Sequence, residues 1–191
     1  MPVVEQVDMP TYPLIVSVGR LERYKGHHRL ITALPYIQQK YPSAPLLILG
    51  HGPFETSLRA LAQKVGVQHA VQIHALPGKD REQMTRVLRQ ATVVALLSEY
   101  EAHPIAVLEA IALRRPVLVA NTSGLSELAE QQLVSVLPIA STPAKVAHAV
   151  IQQIEHPYVP VPSICLPTWD DCVHQLLAVY HMTIRSNICV F

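Results

Sequence analysis

A strand-length apolar run, a glycine turn and a helical repeat follow one another in residues 13–41, which read PLIVSVGRLERYKGHHRLITALPYIQQKY. Residues 13–18 are apolar almost throughout, which is typical of a strand covered on both faces. The later part of the stretch repeats apolar residues at helical spacing, at Leu30, Leu34, Ile37 and Tyr41. A buried strand followed by an amphipathic helix begins a βαβ unit, so this stretch favours an α/β fold.

The same rhythm continues to about residue 155. Six apolar runs rich in Val, Ile and Leu are predicted strands: residues 13–18, 45–49, 70–73, 92–97, 116–120 and 133–137. Helical repeats lie between them, as at Leu58, Leu61 and Val65, or Met84, Val87 and Leu88. We therefore predict a single Rossmann-like α/β domain, with a mostly parallel sheet and helices on both faces. Pro35 is expected to kink the first helix or shorten its N-terminal part, and all seven glycines fall between predicted elements.

The composition excludes several classes of protein. Lys and Arg total 15 against 14 Asp and Glu, so the net charge of +1 offers no attraction for nucleic acid. No apolar stretch reaches the ~18 residues of a spanning helix, and no secretory signal opens the chain, so we expect a cytoplasmic protein without a membrane span. The cysteines form no CxxC pair, which favours reduced thiols at Cys165, Cys172 and Cys189.

The chain is expected to divide into four segments. Residues 1–12 are a predicted N-terminal linker, and residues 13–155 the Rossmann-like domain. Residues 156–181 are a predicted proline-rich crossing segment and final helix of the same domain, and residues 182–191 a tail. Thr168 followed by Asp171 predicts a capping box at the start of that helix, which is expected to end near His181.

Cations gather at the first turn between strand and helix. The predicted strand ends in Gly19-Arg20, and Lys25-Gly26 precedes the helix. A forked Arg20 guanidinium, a Lys25 ammonium and the positive end of a helix dipole together suit a diphosphate. Solvated loop cations, at Arg20, Arg23 and Lys25, explain this segment equally well.

Two carboxylates follow the fourth predicted strand. Glu101 lies in the loop after that strand, and Pro104 is a predicted first residue of the next helix. Glu109 falls within that helix among apolar residues, where a carboxylate is usually paired or bound to a ligand. Acidic side chains at this edge of a sheet can accept hydrogen bonds from sugar and ribose hydroxyls. An exposed glutamate on an amphipathic helix remains the alternative for Glu109.

Taken in order, these segments resemble the C-terminal half of a family 4 glycosyltransferase of GT-B architecture. The resemblance covers about residues 13–180 and rests on motifs in the family's order. These are Gly19-Arg20, Lys25-Gly26, Gly50-His51-Gly52-Pro53, Glu101 with Glu109 as the E-x7-E pair, Pro116-Val117, and Gly124-Leu125-Ser126-Glu127. Each motif is weak alone, but their common register makes chance improbable.

The resemblance implies that the chain binds a nucleotide-diphospho-sugar and transfers its sugar, of hexosyl type, to an unknown acceptor with retention of configuration. It implies a catalytic set of Arg20 and Lys25 on the diphosphate and Glu101 near the donor sugar. Glu109 would bind the ribose hydroxyls, and the loop of residues 74–77 would hold the base. The implied donor-binding set is Gly19, Arg20, Lys25, Ala102, His103, Pro104, Ile105 and Glu109. Such enzymes generally need no metal, and the nucleotide-sugar is a substrate, so no cofactor is expected.

The sequence departs from the family's pattern in two motifs. The family's Gly-Phe-Gly loop is Ala102-His103-Pro104, and Ser126 replaces a proline. His103 could contact a phosphate or the sugar, or could be a structural or solvent-facing histidine. The resemblance covers one half of a GT-B enzyme, so we expect an acceptor-binding half to come from another polypeptide or from self-association. The alternative is a degenerate, non-catalytic module that binds a partner protein.

Other chemistry has little support in the sequence. The ten histidines show no common metal-site spacing, so core or surface positions are expected, with His28 or its neighbour near the start of the first helix. No Gly-x-Ser-x-Gly motif is present, and Ser17 and Ser98 lie at strand ends without an identifiable base.

Overall fold

The structure is a computed structural model that describes residues 12–75, 81–160 and 168–188, with side chains as far as residue 184. The chain forms two compact units, Met1–Pro160 and Val161–Phe191. The predicted linker up to residue 11, Cys165 and Cys189, and most of the proline-rich crossing lie outside the described residues. The prediction that residues 156–181 belong to the same domain as residues 13–155 stays a prediction.

The first unit contains a six-stranded sheet, and all its neighbouring strands pair in parallel. The strand order is β3-β2-β1-β4-β5-β6, the doubly wound order in which the chain reverses direction between β1 and β4. Every predicted apolar run contains a strand, so the predicted α/β fold is confirmed. The strands are β1 Ile15–Val18, β2 Leu46–Leu49, β3 Val71–His74, β4 Val93–Leu96, β5 Val117–Ala120 and β6 Ser135–Leu137.

Helices pack on this sheet in layers, with α1 against α2 and α6, and α3 against α4. Three of the central strands, β1, β4 and β5, are buried along their whole length, which is why their sequences are apolar on both faces. The helices of this unit are α1 His27–Gln38, α2 Glu55–Lys64, α3 Arg81–Gln90, α4 Ile105–Ala112, α5 Ser123–Glu130 and α6 Pro143–Glu155. A 3₁₀ turn, Arg23–Lys25, precedes α1.

Of the two effects predicted for Pro35, the shortening of the first helix is wrong, and the kink stays a prediction. The helix α1 begins at His27 and continues through Pro35 to Gln38. Its buried face includes Leu34 and Ile37 on either side of the proline. We attribute the continuity to this packing, which offsets the hydrogen bond that Pro35 cannot donate.

Two further expectations are corrected by the helix boundaries. Gly124 lies inside α5, near its N-terminus, and not between elements. In the second unit, α7 spans Trp169–Ile188 and therefore continues past His181 into the predicted tail. The predicted capping box is present, since Thr168 N–H donates to Asp171 Oδ2 at 2.8 Å and Asp171 N–H donates to Thr168 Oγ1 at 3.2 Å. Across the described residues, no helix combines the length and the apolar character that crossing a membrane requires.

Candidate active site

The 3₁₀ turn before α1 lies directly against the end of β4. Glu99 N–H donates to the Tyr24 carbonyl at 2.7 Å, which joins this turn to the loop after β4. Gly26 has a φ of 74°, and a Cβ at this position would lie 1.9 Å from the Leu97 carbonyl oxygen. Glycine is therefore needed at residue 26, and its close approach brings the Lys25 backbone to the carboxyl end of β4.

Lys25 and Glu101 form an ion pair at this edge of the sheet. Lys25 Nζ donates to Glu101 Oε1 at 2.7 Å, and the two side chains are 16% and 9% exposed. Ser98 Oγ donates to the same carboxylate oxygen at 3.0 Å. Two residues of the predicted catalytic set are thus in direct contact, although they are 76 positions apart in the sequence.

The N-terminus of α5 holds the backbone of Glu101. Glu101 N–H donates to Ser123 Oγ at 2.8 Å, and Gly124 N–H donates to the Glu101 carbonyl at 2.9 Å. A Cβ on Gly124 would lie 2.8 Å from that carbonyl oxygen, so a larger residue would push the two segments apart. This contact explains in physical terms why a glycine-containing motif follows β5.

Arg20 lies apart from the Lys25–Glu101 pair. Its side chain is 67% exposed, and the guanidinium pairs with Glu22 at 3.1 Å. The turn that carries it is fixed through its neighbours, since Gly19 N–H donates to the Leu49 carbonyl at 3.0 Å. Arg20 therefore has a fixed main chain and a side chain that can reach toward a ligand at the carboxyl edge.

Glu109 is paired with a residue that the sequence analysis did not single out. Its carboxylate accepts a hydrogen bond from the guanidinium of Arg81, at the start of α3. Glu109 is half-buried, whereas Arg81 is largely exposed. The expectation that this carboxylate would be paired or bound is thus met by a partner in the chain. No local pattern indicated that partner, because Arg81 and Glu109 are 28 positions apart and only the tertiary structure brings α3 against α4.

The start of α4 has no side-chain cap among the described residues. The helix begins at Ile105, one residue later than predicted, and Pro104 is its buried N-cap residue. Ala102 and His103 before it are exposed, and the first turn contains no acidic residue. Ile105 N–H donates to the His103 carbonyl at 3.0 Å and Val107 N–H to the Pro104 carbonyl at 2.9 Å, so what favours an anion at this end is mainly the positive end of the helix dipole.

The sequence analysis also missed a buried pair beneath Arg20. Ser17 Oγ and His27 Nδ1 lie 3.0 Å apart, so Ser17 does have a base as its neighbour, contrary to the expectation from sequence. Burial lowers the pKa of His27 from 6.5 to about 4, and both side chains are almost fully inaccessible. A substrate therefore cannot reach this serine as a nucleophile. The predicted position of a histidine at the start of the first helix is confirmed.

Two remaining predictions concern the loop for the base and the absence of a metal site. Of residues 74–77, only His74 and Ala75 are described, and His74 ends β3. Within the described parts of the chain, no three His, Cys, Asp or Glu side chains gather closely enough to hold a metal ion.

Comparison with known proteins identifies the family. A family model for glycosyl transferases group 1 matches residues 5–159. An uncharacterised glycosyltransferase of Methanocaldococcus jannaschii is 32% identical over 137 residues, which are 72% of this chain and 34% of that protein. Glycogen synthase of Mycobacterium tuberculosis is 34% identical over 113 residues, 59% of this chain and 27% of that protein. The matched residues span between about a quarter and a third of the length of these curated relatives.

Solved structures show the same fold. The Anabaena protein HepE in complex with UDP and glucose has a TM-score of 0.65 at 21% identity, covering 75% of this chain and 39% of that chain. The catalytic domain of cholesterol-alpha-glucosyltransferase from Helicobacter pylori has a TM-score of 0.63 at 26% identity, covering 77% and 91%. From its match over residues 5–159 and its fold, this chain belongs to the glycosyl transferases group 1 family.

Proposed function

We propose that this chain is the donor-binding, C-terminal half of a retaining family 4 glycosyltransferase. It would transfer a hexosyl group from a nucleotide-diphospho-sugar to an acceptor. The observation that carries the proposal is the Lys25–Glu101 pair at the carboxyl edge of the sheet, close in sequence to the N-terminus of α4. In open α/β sheets, ligands bind in the crevice outside this edge, next to the point where the strand order reverses.

The diphosphate would be bound by cations and backbone amides. An ammonium group has three donors, and Glu101 accepts one of them from Lys25, so others can reach phosphate oxygens. Arg20 adds a forked donor that suits phosphate. The segment from Ala102 to Ile105 would add backbone N–H groups, except at Pro104, which has none, together with the positive end of the α4 dipole. Together these groups would stabilise the negative charge that develops on the departing nucleotide diphosphate. We propose that no metal and no cofactor take part.

The two carboxylates would bind hydroxyl groups of the donor. Lys25 and Ser98 both donate to the same carboxylate oxygen of Glu101, Oε1. Among the described residues, no side chain donates to the second oxygen, Oε2. That oxygen would accept a hydrogen bond from a sugar hydroxyl. Glu109 would accept from the ribose, and this requires its ion pair with Arg81 to open or to share the carboxylate. Gly19 would allow the diphosphate to approach the backbone of the first turn.

The acceptor-binding half would come from elsewhere. In a GT-B enzyme the reaction takes place in a cleft between two domains, so we propose a second polypeptide segment, another protein or a second copy of this chain as the source. A cytoplasmic location is part of this proposal, and the cysteine pattern, which favours reduced thiols, supports it. The comparisons do not support the alternative of a non-catalytic module.

The first test is nucleotide binding. We expect calorimetry to detect binding of at least one of UDP, GDP and ADP to the purified chain. Lys25→Ala should weaken that binding by roughly 10- to 100-fold, as expected for losing a charged hydrogen bond, and Glu109→Gln should weaken it by roughly tenfold.

A second ion pair provides control variants for the nucleotide-binding test, matched to Lys25→Ala and Glu109→Gln. Lys40, just after the end of α1, pairs with Glu155 in α6. Because α1 runs from the carboxyl edge of the sheet toward the amino edge, this pair lies far from the proposed site. Lys40→Ala and Glu155→Gln should leave nucleotide binding unchanged. A folded chain that binds none of the three nucleotides would sink the proposal, and slow hydrolysis of a nucleotide-sugar would argue directly for a catalytic role.

A further inference from the structure

A buried polar pair links the first strand, the first turn and the first helix. Ser17 is in β1 and His27 is the first residue of α1, and both are inaccessible to solvent. His27 Nδ1 lies 3.0 Å from Ser17 Oγ, and His27 Nε2 lies 3.2 Å from the Arg20 carbonyl oxygen. The imidazole therefore spans from the strand to the turn that carries Arg20.

The partners determine the tautomer of this histidine. A carbonyl oxygen can only accept a hydrogen bond, so Nε2 must carry the proton that it donates to Arg20. The other nitrogen, Nδ1, is then an acceptor and receives the hydroxyl proton of Ser17. Burial lowers the pKa of His27 to about 4, so the imidazole is neutral at physiological pH, as this arrangement requires.

A purely structural role does not require these polar groups. Replacing a buried hydrogen-bonded pair with apolar residues of the same shape is often neutral or stabilising. The hydrogen bond to the Arg20 carbonyl, in contrast, holds the main chain from which an exposed guanidinium extends. Further along, the Leu21 N–H donates to the His51 carbonyl at 3.0 Å.

We propose that His27, oriented by Ser17, is a positioning residue for the diphosphate: it holds the Gly19–Arg20 turn so that the Arg20 guanidinium reaches the phosphates. This inference rests on the proposed function and deepens it. His27 would not touch the donor, and its whole effect on the ligand would pass through Arg20.

The test measures what the second phosphate adds to binding. Its readout is the ratio of the dissociation constants of UMP and UDP, or of the GMP–GDP or AMP–ADP pair if the chain binds that diphosphate most tightly. We expect His27→Leu to lower this ratio by about tenfold, the equivalent of one charged hydrogen bond. His27→Gln should keep it within about twofold, because a glutamine amide can donate to Arg20 and accept from Ser17.

Two controls separate positioning from general destabilisation. Ile37 is fully buried in the same helix, roughly 15 Å along its axis from His27. Ile37→Ala should lower the melting temperature and leave the UMP to UDP ratio unchanged. In an Arg20→Ala background, His27→Leu should no longer change the ratio, because the residue through which it acts is gone.

A ligand-free measurement keeps the inference testable if His27→Leu fails to fold. Nitrogen-15 NMR of the imidazole should show a neutral ring with a slowly exchanging proton on Nε2, and Ser17→Ala should lower the UMP to UDP ratio by a smaller factor than His27→Leu. A charged ring, a proton on Nδ1 at neutral pH, or an unchanged ratio in His27→Leu would overturn the positioning role while the proposed function stands. If the unaltered chain binds no diphosphate, both fail.

Discussion

Glu101→Gln should destabilise the protein and at the same time strengthen its binding of a nucleoside diphosphate. The substitution keeps the size and one acceptor oxygen of the side chain but removes its charge. Lys25 and Glu101 are 16% and 9% exposed, so the pair lies between an exposed bridge, worth about 0–1 kcal/mol, and a buried pair, whose breaking costs about 3–5 kcal/mol. Since the amide oxygen can still accept from Lys25 and Ser98, we expect a loss of about 2 kcal/mol in the free energy of unfolding.

The gain in affinity follows from the same geometry. A phosphate oxygen bound to the Lys25 ammonium would lie about 5 Å from the Glu101 carboxylate, since both would be hydrogen-bonded to one nitrogen. Two like charges at this distance repel by about 1 kcal/mol in a water-like surrounding and by more in a drier one. Removing the carboxylate charge should therefore tighten UDP binding by roughly fivefold, while transfer of the sugar should be lost.

The measurements are urea denaturation for stability and calorimetry for UDP binding, at low and moderate salt. Glu155→Gln, which removes the carboxylate that pairs with Lys40, is the matched control and should leave UDP binding unchanged. Weaker UDP binding by Glu101→Gln would refute the reasoning, because it would mean that the carboxylate supports Lys25 in the bound state more than it repels the diphosphate.

Three further predictions concern the elements that support the site. Acid should destabilise the fold through His27: its pKa is about 4 in the folded chain and 6.5 ordinarily, so the unfolded chain takes up the proton first. The free energy of unfolding should fall by about 3 kcal/mol between pH 6.5 and 4, and denaturation of His27→Gln should lack this part of the slope. Gly26→Ala should prevent folding or lower the free energy of unfolding several times more than Gly66→Ala, as measured by thermal melts. Both glycines have φ near 75°, but of the two only a Cβ at residue 26 would overlap a carbonyl, that of Leu97. Pro35→Ala should stabilise α1 by about 2 kcal/mol in the same assay, because it restores a backbone donor inside the helix, and a lower melting temperature would contradict this.

Local sequence patterns were sufficient for the sheet and for most of the edge that carries the site. Each predicted apolar run contains a strand because covered parallel strands must be apolar on both faces. Helix ends were predicted less well. Packing of the buried face carries α1 through Pro35, and α7 continues past His181 with no signal that marked its end.

The sequence by itself determined the α/β fold, the residue types at the carboxyl edge and the resemblance to a glycosyltransferase, because these depend on patterns and motifs within short segments. The tertiary structure alone decided which charges meet. Lys25 contacts Glu101 because β1 and β4 are neighbours in the sheet, and Glu109 contacts Arg81 because α3 packs on α4. The contacts of His27 with Ser17 and with the Arg20 carbonyl likewise depend on the tertiary structure, which brings strand, turn and helix together around one buried imidazole.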